Sequence, residues 1–76
     1  MMFLDYSVEI PDQDKLPPIL SEIMDELKQA QDTGDDITFM IKIDEFEIFL
    51  KQALAGKKIT PHEFRQLCNY VGFMGV

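Results

Sequence analysis

Residues 37–43 read Ile37-Thr38-Phe39-Met40-Ile41-Lys42-Ile43. Ile37, Phe39, Ile41 and Ile43 alternate with Thr38, Met40 and Lys42, and a period of two in β-branched and aromatic letters is the signal of a strand. The same letters would also open a long helix running through Leu54. Two features favour the strand. Asp44 and Glu47 form a D-x-x-E start signal just after the segment, a carboxylate variant of the capping box. The β-branched and aromatic density also suits a pleated surface better than a helix interior. Residues 37–43 are therefore expected to be a strand, with a helix starting at Glu45.

Toward the C-terminus, residues 45–55 predict a helix that buries Phe46, Phe49, Leu50, Ala53 and Leu54. Glu47 and Lys51 sit four apart on its wet side in the favourable order. Ile48 falls away from the apolar stripe and is a candidate contact residue. Gly56 is expected to end this helix. Thr60-Pro61-His62-Glu63 then supplies a cap, a proline at the first helical position and a reciprocal acid. Phe64, Leu67, Cys68 and Val71 predict the buried face of the last helix, and Gly72 its end.

Toward the N-terminus, the loop Asp32-Thr33-Gly34-Asp35-Asp36 offers Gly34 for a left-handed cap. Before it, Ile19, Leu20, Ile23, Met24 and Leu27 recur at helical spacing behind Pro17-Pro18, with the helix expected to stop near Gln31. Residues 2–10 alternate: Met2, Leu4, Tyr6, Val8 and Ile10 share one side, and Pro11 closes the run. The expectation is a small α+β single domain spanning residues 1–76, in the order β-α-β-α-α, its two-stranded sheet packed by three helices. Two strands make a marginal sheet. Either the helices cover it well or a second copy extends it.

Seventy-six residues suffice for one domain with a thin core, worth about 3–5 kcal/mol of net stability. Small chains often add a staple. Cys68 is the only cysteine and His62 the only histidine, so neither an intrachain disulfide framework nor a standard zinc site is available. Homodimerisation remains by elimination. The start Met1-Met2-Phe3-Leu4-Asp5 has no basic region ahead of an apolar run, and no stretch is apolar enough to span a bilayer. With one unpaired thiol, the expected compartment is the cytoplasm.

The net charge of −7 is divided unevenly. Residues 1–50 carry thirteen acids against Lys15, Lys28 and Lys42, a balance of −10, while residues 51–76 carry Lys51, Lys57, Lys58 and Arg65 against Glu63, a balance of +3. The overall sign argues against broad phosphate-backbone binding.

Several chemical motifs are approached and missed. Ile59 and Glu63 fit two places of a calcium loop, but its early ligand positions fall on Gln52, Leu54 and Gly56. The Asp32–Asp36 loop has acids at the wrong spacing and is a solvated turn. Cys68 follows His62 by six residues, about 240° around a helix, so the two point apart. Glu22 and Glu26 are solvating charge rather than an acid/base pair, and Gly34, Gly56, Gly72 and Gly75 are too isolated for a phosphate loop. No catalytic, cofactor or metal site is expected.

The leading functional expectation is a non-enzymatic interaction or regulatory module: an adaptor, an inhibitor, or an antitoxin-like protein. Its acidic half would engage a basic surface on a protein partner. A sharper version has the acidic face mimic nucleic acid. Contact residues on this reading are Glu22, Asp25, Glu26, Asp35, Asp36 and Ile48, together with Phe73 and Met74 of the apolar C-terminal stretch. The first alternative is a DNA-associated accessory protein using a helix-turn-helix-like segment, residues 45–71, with Lys57, Lys58 and Arg65 as its basic cluster. The second is a structural subunit of an oligomer.

Overall fold

The computed structural model describes residues 4–5 and 7–72. Three helices carry the fold: α1 (Pro18–Thr33), α2 (Asp36–Ala55) and α3 (Pro61–Val71), preceded by a short 3-10 turn at Gln13–Lys15. Among the described residues there is no strand. This overturns the α+β expectation and its two-stranded sheet, and the reason lies in how α2 begins.

Asp44 does not start a helix. The start is Asp35, whose carboxylate accepts from the Thr38 N–H at 3.0 Å. Just before it, Gly34 ends α1 at φ 72°, and its N–H reaches back to the Ala30 and Gln31 carbonyls. That left-handed turn is open to glycine without the Cβ penalty other residues meet. The chain thus ends one helix and caps the next within two residues. A link this short makes α1 and α2 antiparallel neighbours. The 37–43 segment becomes the first two turns of a 20-residue helix.

Packing then overrides β-propensity. Leu20, Ile23, Met24 and Leu27 of α1 join Phe39, Ile43, Phe46 and Leu50 of α2 in one core cluster. Lys42 of α2 reaches Glu26 of α1 at 3.1 Å and Glu45 on its own helix at 3.3 Å. Those two carboxylates, Glu26 foremost, hold the Lys42 ammonium above its ordinary pKa.

Of the strand expected at 2–10, residues 4–5 and 7–10 are described and form none, since no strand among the described residues is there to pair with them; Met2, Phe3 and Tyr6 lie outside the described residues. Leu4 is buried, its N–H donates to the Gln31 side chain at 2.7 Å, and the Asp5 N–H donates to the Tyr70 carbonyl at 2.8 Å. These residues tie the end of α1 to the end of α3. Among the described residues of that alternation, Leu4 is in the core and Val8 and Ile10 pack against it.

The last helix follows its local signals closely. The Thr60 hydroxyl accepts from the Glu63 N–H at 3.1 Å, and the Glu63 carboxylate accepts from the Thr60 N–H at 2.8 Å. Leu67, Cys68, Tyr70 and Val71 are buried, and Gly72 ends the helix at φ 82°. In the connection before it, Lys57 takes a left-handed φ of 58°. No helix among the described residues is long and apolar enough to cross a membrane.

Candidate functional site

α2 is apolar on both sides. By the 3.6-residue period, Phe39, Ile43, Phe46, Leu50 and Ala53 share one side, and all five are buried. Ile37, Ile41 and Ile48 share the opposite side with Asp44, within about 60° of one another, and Met40 lies beside them. These side chains stay in solvent: Ile37 is 75% exposed, Met40 69%, Ile41 55% and Ile48 54%. The other large apolar side chain exposed among the described residues is Ile19 on α1. Four of five therefore fall on one helix face. Single exposed apolar residues are ordinary, whereas a contiguous row marks a contact surface.

Charge surrounds this row unevenly. Glu45 pairs with Lys42 and Glu47 pairs with Lys51, the latter at 3.2 Å. Asp36 at the helix start and Asp44 inside the row are exposed and form no ion pair among the described residues. The Asp35 carboxyl is held below its ordinary pKa by hydrogen bonds from the Thr38 side chain and then its backbone N–H.

The residues expected to contact a partner are dispersed. Ile48 lies in the exposed row, with Asp36 at its N-terminal end. Asp35 is committed to the α2 cap. Glu22, Asp25 and Glu26 sit on α1. Glu26 pairs with Lys42, and Asp25 accepts from the Gln13 amide at 3.3 Å. Phe73 and Met74 lie outside the described residues. Ile37, Met40, Ile41 and Asp44 were missed, because a strand at 37–43 hides the second helical stripe. Numbering the segment from Asp35 at a period of 3.6 reveals both stripes at once.

The basic residues Lys57 and Lys58 are exposed in the connection between α2 and α3, and Arg65 is exposed on α3. Lys58 and Lys15 also border an open groove of about 450 Å³ whose apolar lining includes Leu16, Ile19, Phe49 and Ala53. That lining holds no histidine, cysteine or carboxylate.

His62 is exposed in the first turn of α3, while Cys68 is buried. Burial pushes the Cys68 thiol up, and the Glu47 carboxylate adds to this against an opposing effect of Lys51. A raised thiol is a weak nucleophile at neutral pH. Among the described residues, no group of three histidine, cysteine, aspartate or glutamate side chains is placed to hold a metal ion. No known protein family, curated protein or solved structure matches this chain significantly.

Proposed function

We propose that this chain is a non-enzymatic protein-interaction module whose contact surface is the outward face of α2. The observation that carries the reading is the row of Ile37, Met40, Ile41 and Ile48, left in solvent on a helix whose other side is fully used by the core. A helix apolar all round belongs in an interior. Here a partner supplies the missing half of that interior. The surrounding acids of residues 1–50 steer a partner with a basic surface and disfavour others. The lone free thiol suits a reducing compartment, and the reading places the module in the cytoplasm.

The test compares retention of native proteins on immobilised wild-type chain and on Ile41→Asp and Ile48→Asp, at low salt and after nuclease treatment. Far-UV circular dichroism confirms that each variant is folded. Retention by wild type that both variants lose is the expected result. Equal retention by wild type and variants would remove α2 as the contact surface. Retention that vanishes with nuclease would transfer the reading to Lys57, Lys58 and Arg65.

A further inference from the structure

Resting on that contact surface, we infer that its occupant is an amphipathic helix of another protein that carries a lysine or arginine within its apolar stripe, seated against Asp44. Asp44 lies between Ile41 and Ile48 along the row and has no ion pair among the described residues. Any helix that covers the isoleucines also covers this carboxylate. A covered carboxylate without a cation or donor opposite is strongly unfavourable. Asp44 therefore selects its partner by charge.

Pairing with the α2 of a second copy fails this condition in each of four registers. Parallel pairing sets Asp44 beside its own counterpart. Antiparallel pairing centred on Asp44 does the same. Antiparallel pairing with Ile37 against Ile48 places Asp44 on Ile41. Sliding until Lys51 faces Asp44 carries Ile37 past the far end of the other α2, which stops at Ala55. Lys42, the other lysine of α2, already spans Glu26 and Glu45. Self-pairing through α2 thus leaves the covered acid without a cation or leaves Ile37 uncovered. An arginine suits the site best, because its planar guanidinium forms two parallel hydrogen bonds to one carboxylate.

Two labelled helical peptides of about 20 residues test this, long enough to form a helix against a surface. They share one composition; an arginine and an alanine exchange places, so the arginine lies in the leucine stripe of one and on the back of the other. Anisotropy titrations use the full chain, wild type and Asp44→Leu. The stripe-arginine peptide is expected to bind wild type at least about tenfold more tightly, as a well-placed covered charge pair allows. With Asp44→Leu the preference should disappear. Equal binding of both peptides to wild type, or binding of neither, would overturn the inference. If that equal binding is lost in Ile41→Asp, the α2 contact surface survives; if it is not, both readings fall. Sedimentation equilibrium supplies a further check. A wild-type dimer that Ile48→Asp dissociates would make a second copy the occupant and overturn the inference.

Discussion

The two faces of α2 are built from the same kinds of residue and do opposite things. Phe39, Ile43, Phe46 and Leu50 are sealed against α1 and the rest of the core, whereas Ile37, Met40, Ile41 and Ile48 stand in water. Ile43 and Ile41 are two residues apart and chemically identical, yet one is 4% exposed and the other 55%. Hydrophobicity alone therefore does not say which side of a helix stabilises the fold. What separates the faces is whether another element of the same chain arrives to cover them. On the inward side the Gly34–Asp35 link folds α1 back along α2. On the outward side no element among the described residues covers the row.

The sharpest way to break this comparison is to put one charge on each face. Ile43→Asp should destabilise by at least about 4 kcal/mol, through lost packing and an unpaired buried carboxylate, which is enough to unfold a chain of this size. Ile41→Asp should stay within about 0.5 kcal/mol of wild type, as exposed substitutions do. Urea unfolding followed by circular dichroism reads both. A similar cost for the two would mean that the outward row is covered within the chain.

Truncation gives a finer measure. Phe46→Ala leaves a cavity at a fully buried site and should cost about 3–5 kcal/mol. Ile48→Ala removes an exposed side chain and should lie within about 0.5 kcal/mol of wild type. Denaturant midpoints at unchanged slope would report the difference. An Ile48→Ala loss approaching that of Phe46→Ala would erase the distinction between the faces.

The smallest expected effect concerns the start of α2, which brings Ile37 and Met40 onto the helix. The Asp35 carboxyl has a lowered pKa in the folded chain, so its stabilisation is present above the ordinary aspartate value, about 3.9, and is lost as pH falls through the folded value. Asp35→Asn keeps a good neutral cap but lacks the charge that favours a helix N-terminus. The variant should melt slightly below wild type at neutral pH, and the two melting curves should converge in acid. A gap that persists or widens in acid would show that the Asp35 charge does not support this helix start.

Much of the helical part was readable in advance. Thr60, Pro61 and Glu63 announce α3, and Phe64, Leu67, Cys68 and Val71 predict its buried face, because a cap and a periodic stripe are short-range signals; Phe64 is only partly buried, and Tyr70 joins the face unforeseen. Gly34 marks the end of α1 for the same reason, although the helix runs two residues beyond the expected Gln31, to Thr33. The error lay at 37–43. There, two helical stripes interleave, Ile37 and Ile41 outward, Phe39 and Ile43 inward, and their overlap imitates a period of two. Asp44 and Glu47 reinforced the misreading by resembling a cap in mid-helix. Ile48 was picked out because it leaves the inward stripe. Read as a strand, Ile37, Met40 and Ile41 share no surface with it.

The amino-acid sequence alone determined the caps, the turns, the charge asymmetry and the apolar stripes of α1 and α3, since each depends on residues within a few positions of one another. Whether 37–43 became strand or helix was a tertiary decision. A strand there needed residues 2–10 as a ladder partner, while a helix needed only α1 folded back through Gly34 and Asp35. The helix satisfies its interior backbone groups within itself, with Asp35 capping its start, and buries Phe39 and Ile43 at the same time, whereas a lone pair of strands would have left two open edges. That choice also turned Ile37, Met40 and Ile41 outward beside Ile48, and so created a surface that the local pattern shows only once the segment is read as helix.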